Sequence, residues 1–170
     1  VSEQQPAPDG ASEGEQRAVA ALDATGLRYR LVRHGRVSSL EEAAAARRVR
    51  PEQVIKTIVV RRAEDDFLFV LVPGGRVISW PKLRALLGVS RMSLPDAATA
   101  LAVTGYERGT ITPFGSTRAW PVVADARVAG RAVSIGAGAH GVAATLDGSQ
   151  MVLALGATVA DVTDAEPTSG

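Results

Sequence analysis

Val54-Ile55-Lys56-Thr57-Ile58-Val59-Val60, followed after Asp65-Asp66 by Phe67-Leu68-Phe69-Val70-Leu71-Val72, is the stretch on which the fold turns. Both runs are rich in β-branched or aromatic residues and have the length of strands. The acidic turn between them makes a hairpin, and Pro73-Gly74-Gly75 breaks it. Working back towards the N-terminus, Ser38 with Glu41 three residues later forms a capping box that opens a helix through Arg47. Leu27 to Val32 alternates apolar residues with arginine, as a half-buried strand does. Gln16 to Thr25 sets Val19, Ala20 and Leu22 on one helix face, with Gly26 as C-cap.

Working forward, Pro81 opens a helix that ends at Gly88, and Pro95 opens another through about Val103. Gly105 to Gly115 is a Gly/Pro loop. Strand-like runs follow at Trp120 to Val123, Ala132 to Ile135 and Val142 to Leu146. A short helix near Gln150 to Leu155 and a strand near Thr158 to Val162 close the domain. Helices and strands do not alternate regularly, so the spacing predicts one mixed α+β domain. The expected sheet is curled, largely antiparallel and barrel-like, with peripheral helices. The domain is expected over residues 15–164, between disordered tails at 1–14 and 165–170.

The chain has 170 residues, 46% of them hydrophobic and 22% charged, which is enough to bury a core without staples. It contains no cysteine, which excludes disulfides, thiolate metal sites and a cysteine nucleophile in this chain. Two histidines make a histidine-rich metal site a poor expectation. The longest apolar runs are strand-sized, so no transmembrane helix and no membrane partner are expected. The segment from Val1 to Gly14 is polar and acidic rather than a secretory leader, and a cytoplasmic location is the expectation.

Net charge is +1, yet its distribution is uneven. Between Gly26 and Arg62 stand ten Lys/Arg against Glu41, Glu42 and Glu52, whereas no Lys or Arg follows Arg131. A basic segment of this kind suits a polyanion, and equally a solvated arginine-rich surface. Of 19 basic residues only Lys56 and Lys82 are lysine. Lys82 belongs to an ordinary amphipathic helix. Lys56 lies in an apolar strand, where an ammonium must reach water or meet an anion. It is read either as a compact charge for a ligand or as a guard on a strand edge.

In Thr104-Gly105-Tyr106-Glu107-Arg108-Gly109-Thr110-Ile111-Thr112-Pro113-Phe114-Gly115, Gly109 and Pro113 bracket a GxxxP turn. Such a loop can aim successive N–H groups at a carbonyl or phosphate oxygen, or it can be a plain turn. Gly136-Ala137-Gly138-Ala139-His140-Gly141 lacks the strand and helix that a dinucleotide fingerprint needs. His140 there, and His34 at a strand end, are each a pocket donor or a turn residue. No nucleophile elbow, HExxH or P-loop is present.

Taken in order, these pieces resemble the YbaK/prolyl-tRNA synthetase-associated domains, which edit misacylated tRNA. The likeness runs from about Arg17 to Val162. It rests on Pro51 to Thr57, Trp80 to Gly88, Thr104 to Gly115, Val122 to Asp125 and Gly136 to Gly141. The resemblance implies a trans-acting aminoacyl-tRNA deacylase whose partner is the 3′ CCA end of aminoacyl-tRNA, with an aminoacyl-tRNA synthetase as a further partner. It places Lys56 on the family's functional lysine at the CCA end. It places Gly109 and Pro113, with Thr110, Ile111 and Thr112 between them, on the loop that holds the ester. His140, Gly138 and His34 fall near positions that bear on the aminoacyl group, and Asp125 on a structural acid. Arg47, Arg48 and Arg50 are the candidates for tRNA phosphates. No metal or cofactor is implied.

Ala143 stands where the family's cysteinyl-tRNA deacylases carry an aspartate, and Val32-Arg33-His34 replaces their pocket tyrosine, acid and histidine. A non-catalytic tRNA- or synthetase-binding module of the same fold is therefore the alternative, and a hydrolase of unrelated small esters a third reading.

Overall fold

The computed structural model describes residues 11–167. Its centre is the expected hairpin, β2 (Val54–Ala63) and β3 (Asp66–Pro73), with Lys56 opposite Val72 and Val59 opposite Phe69. Phe67, Phe69 and Leu71 enter one core, while Leu68, Val70 and Val72 enter another on the opposite face. Burial on both faces is the reason β3 reads as an unbroken apolar run rather than an alternation.

Around the hairpin the chain contributes α1 (Glu13–Thr25), β1 (Tyr29–Arg33), α2 (Leu40–Arg47), β4 (Arg76–Ile78), α3 (Trp80–Leu87) and α4 (Ala97–Thr104). There follow β5 (Val122–Asp125), β6 (Ala132–Gly136), β7 (Val142–Asp147), α5 (Gly148–Ala154), β8 (Thr158–Ala160) and β9 (Thr163–Ala165). Seven strands make one sheet in the order β1-β7-β6-β2-β3-β5-β8, and β4 pairs with β9 in a separate ribbon. Leu22 of α1 and Met151 and Val152 of α5 fill the larger core, and Leu83 of α3 fills the smaller one.

The α+β class and the peripheral helices agree with the sequence reading. The curled, largely antiparallel, barrel-like sheet does not. β2–β6, β3–β5 and β5–β8 are parallel, so the sheet is mixed. It is also open, with β1 and β8 at its two edges. The direction comes from crossovers: the chain leaves β3, passes through α3 and α4, and returns as β5 alongside β3. Side-chain alternation reports which face is buried and carries no information on the direction of a neighbouring strand. β4 and β9 have three residues each, too short for a periodic signal.

Two local readings shift. The N-cap of α2 is Ser39, whose side chain accepts from the Glu42 N–H, while Ser38 instead donates to the Glu42 carboxylate. The helix after Pro95 begins at Ala97 with Asp96 as its cap. Of the proposed tails, 1–10 and 168–170 lie outside the described residues. Ser12 caps α1 and Ala165 ends β9, so ordered structure extends slightly past both proposed bounds. Among the described residues no helix is long and apolar enough to cross a membrane.

Candidate functional site

A cavity of about 580 Å³ opens beside β2. β2 forms its floor from Val54 to Val59, the chain before and within α4 supplies Leu94, Pro95, Ala97 and Ala100, and Arg108, Gly109 and Ile111 come from the loop after α4. Arg47 and Gly136 complete the lining. The cavity exists because β2 is paired on its second edge only at its two ends. Ile55 pairs with β6, and Arg61 exchanges two hydrogen bonds with Ser93, at 2.8 and 3.0 Å. Between those anchors the backbone N–H and C=O groups of Thr57 and Val59 point away from β3 and meet no other strand among the described residues. A bare edge of this kind is a ready hydrogen-bonding surface for a ligand. The Thr57 hydroxyl is buried beside it and has no partner among the described residues.

Lys56 lines this cavity, is exposed, and makes no ion pair among the described residues. Its strand is interior at Val54 and Ile55 and an edge beyond them. The two readings left open by the sequence thus meet in one residue: a cation at an exposed edge, and an edge that is the wall of a cavity. Arg108 is likewise exposed at the rim. The lining carries three cations, Arg47, Lys56 and Arg108, and no carboxylate.

The loop opposite is held from below. Arg17 of α1 donates to the Gly105 carbonyl at 2.6 Å and to the Gly115 carbonyl at 3.3 Å, pinching the two ends of the loop together. Its guanidinium lies 4.9 Å from the centre of the Tyr106 ring, and the Tyr106 hydroxyl donates to the Phe114 carbonyl at 2.6 Å. Burial pushes the Tyr106 phenol up to about 12, so it remains a donor at neutral pH. Gly109 sits at φ +88°, in the left-handed region, with the His140 ring against its open side. The N–H groups of Gly109 and Ile111 have no acceptor among the described residues. Thr110 and Thr112 turn inward: the Thr110 hydroxyl donates to the Glu107 carbonyl, and the Thr112 hydroxyl accepts from the Phe114 N–H. Pro113 stiffens the far end of the turn without lining the cavity.

The structure therefore brings Lys56, Gly109, Ile111 and Arg47 to one cavity and separates the other residues named from the sequence. Gly138 packs against Gly14 and Tyr106, supporting the loop from α1. His140 is exposed on the outer side of Gly109. Arg48 is the left-handed C-cap of α2, and Arg50 pairs with Glu52 at 3.3 Å; both face solvent. Arg47, one residue earlier, turns inward. Its Nε approaches His34 Nε2 and its Nη1 approaches Ser134 Oγ, both at 3.5 Å. His34 Nδ1 lies 2.8 Å from the Gly35 carbonyl, so a proton on Nδ1 leaves Nε2 free to accept from Arg47.

Asp125 is fully buried away from this cavity and bonds the Arg127 and Val162 N–H groups, Thr163 Oγ1 and the Arg127 guanidinium. It ties β5 to the chain entering β9. Ala143 is fully buried in β7, between Val32 of β1 and Gly136 of β6. Sequence reasoning missed Arg17, Arg108 and the orphaned Thr57 hydroxyl. Arg108 and Thr57 each adjoin a residue that was named; nothing in the sequence marks Arg17, whose partner carbonyls lie about ninety residues away in the chain. A second, shallower cavity of about 450 Å³ lies past the Arg61–Ser93 bridge, where Arg61, Arg62, Arg84 and Arg91 face Glu64. No group of three His, Cys, Asp or Glu residues among the described residues could hold a metal ion.

Known proteins resemble this chain in both sequence and shape. The proline–tRNA ligase of Thermosipho africanus is 30% identical over 89 residues, which cover 52% of this chain and 16% of the ligase. That of Caldicellulosiruptor saccharolyticus is 32% identical over 79 residues, covering 46% of this chain and 14% of the ligase. The chain thus spans about a sixth or less of the length of the curated relatives it matches. A hypothetical protein of solved structure superposes with a TM-score of 0.79 at 26% identity, over 87% of this chain and 99% of that one. A solved structure described as a candidate trans-editing enzyme for prolyl-tRNA synthetase superposes with a TM-score of 0.81 over 91% of this chain and 99% of its own; at 22% identity this is a likeness of fold. Residues 34–153 match the aminoacyl-tRNA editing domain, a span that takes in α2, Lys56, the Gly109 loop and the whole cavity between them, and the chain belongs to that family.

Proposed function

We propose that this protein is a trans-acting deacylase that hydrolyses the ester of mischarged tRNA. The observation that carries the reading is that Lys56, Gly109 and Ile111 line one cavity with three cations and no carboxylate, and that the N–H groups of Gly109 and Ile111 have no acceptor among the described residues. An aminoacyl ester offers a carbonyl oxygen that becomes an oxyanion on attack. Two backbone donors held by a clamped loop stabilise that charge without reorganising. Lys56, exposed at the mouth, meets the terminal phosphate or ribose as a point charge. The free edge at Thr57 and Val59 offers further donors and acceptors that orient the aminoacyl-adenosine. The ester is already activated, so positioning and charge stabilisation lower the barrier for attack by water or a substrate hydroxyl, and no protein nucleophile is needed. Arg48 and Arg50 outside the cavity, and Arg84 and Arg91 near the second one, are placed to meet phosphates of the tRNA body.

The replacement of the family aspartate by the buried Ala143 favours a second reading, a module that binds tRNA or a synthetase without chemistry. Incubating the chain with a panel of mischarged tRNAs separates the two. Release of at least one amino acid at a rate proportional to protein concentration is the result expected of a deacylase. Tight tRNA binding with no release from any member of the panel would favour the module.

A further inference from the structure

We infer that Arg47 is a specificity-determining residue that selects aminoacyl groups whose side chain ends in a carboxylate. The inference rests on the deacylase reading and names the substrate class of the same cavity. Three cations line that cavity, and they differ in depth. Lys56 and Arg108 are exposed, whereas Arg47 is half-buried. Arg47 has no carboxylate partner among the described residues. Its two polar contacts, to His34 Nε2 and to the hydroxyl of the fully buried Ser134, are both 3.5 Å long. The remaining donors of its five N–H groups have no protein acceptor among the described residues. Burial pulls its guanidinium below the usual arginine value, and no anion among the described residues stands against it.

A guanidinium left in that state suits a planar oxyanion that can accept two parallel hydrogen bonds. Two groups of the substrate offer an anion: the aminoacyl side chain and the terminal phosphates of the CCA end. Depth decides between them. The phosphodiester chain must pass the mouth, where Lys56 and Arg108 already stand in solvent. The side chain is the part of an aminoacyl-adenosine short and narrow enough to pass those two cations and meet the half-buried Arg47. His34 supports the arrangement by holding Nε, and Ser134 meets Nη1, which leaves Nη2 without an acceptor among the described residues.

The test is single-turnover hydrolysis of aspartyl, glutamyl and alanyl esters on one tRNA by the full chain, its Arg47→Met variant and its Arg47→Lys variant. Alongside it, calorimetric binding is measured for 3′-amide-linked aspartyl- and alanyl-adenosine, which carry no phosphate, and the melting midpoint is recorded for each protein. The acidic esters should turn over faster than the alanyl ester in the wild type. Arg47→Met should lower the acidic rates roughly tenfold or more beyond any fall in the alanyl rate, with Arg47→Lys recovering part of that difference. A wild type without preference for acidic esters, or equal loss on all three esters with a flatter salt dependence, would overturn the inference; the latter would hand Arg47 to the phosphates. The binding arm is independent of turnover. Acid-selective binding that Arg47→Met abolishes, with no ester hydrolysed, sinks the deacylase reading and upholds the pocket assignment. Equal affinity for the aspartyl and alanyl analogues overturns the assignment whatever the rates.

Discussion

Gly109 is the residue at which backbone conformation and the proposed chemistry coincide. At φ +88° a β-branched side chain is strained, and a Cβ there would come within 3.1 Å of the His140 ring. Gly109→Val should leave a folded protein and lower deacylation about a hundredfold, the scale of losing one oxyanion donor, measured as rate with the melting midpoint as control. Full activity in the folded variant would make the loop a plain turn. Asp125 shows the opposite case, an acid whose role is structural. Burial pushes its carboxyl up, but hydrogen bonds from Arg127, Thr163 and Val162 outweigh burial and hold it below the usual aspartate value. A carboxyl depressed in the folded state stabilises fully above its unfolded value, and that stability drains away as pH falls through the folded one. Wild-type stability should therefore decline below about pH 4. Asp125→Asn should cost about 2–4 kcal/mol at neutral pH and show less of that acid decline, as read by denaturant unfolding across pH. Lys56, the GxxxP loop and the structural sense of Asp125 were all legible as residues. The inward turn of Arg47 was not, because its neighbours Arg48 and Arg50 have the same chemistry and only the left-handed cap at Arg48 separates them.

Among the elements, the hairpin announced itself because the β-branched and aromatic runs at residues 54–60, broken by Lys56 and Thr57, and at residues 67–72 are joined by an acidic turn. The order of the remaining strands stayed hidden, since β5 lies parallel to β3 through a long crossover that no local pattern encodes. The loop from Gly105 to Gly115 was visible as a Gly/Pro segment, but its rigidity comes from α1, far away in sequence. Arg17 holds both loop ends, and Trp120 Nε1 anchors α4 by donating to the Val103 carbonyl at 2.8 Å. Arg17→Met keeps much of the alkyl packing and removes the clamp. It should lower the single-turnover rate at saturating substrate by roughly ten- to hundredfold and leave tRNA affinity unchanged, because displacement of a positioned donor weakens the transition state more than the ground state. An equal loss in affinity and rate, or no loss in either, would remove Arg17 from the positioning of the loop.

At the scale of the whole molecule, a net charge of +1 conceals a sorted surface. The C-terminal acids are largely occupied: Asp161 and Asp164 hold Lys82, and Asp161 also meets Arg127. The arginines around both cavities are mostly without such partners among the described residues. The salt dependence of tRNA binding should therefore be steep. Arg48→Ala with Arg50→Ala should flatten the logarithmic slope by about 0.7 to 0.9 per lost phosphate contact, and Arg84→Ala with Arg91→Ala reports on the other end in the same way. Slopes unchanged in both double variants would take these surfaces out of the interface. The central claim is that the cavity between Lys56 and the Gly109 loop hydrolyses an aminoacyl ester. Its most direct test is single-turnover hydrolysis of a mischarged tRNA by the wild type and by Lys56→Ala, with the melting midpoint of each. Lys56 is exposed and makes no ion pair among the described residues, so its removal should leave the midpoint within a few degrees while the rate falls roughly tenfold to hundredfold, the share of one charged hydrogen bond. Undiminished hydrolysis by a folded Lys56→Ala variant would contradict the account.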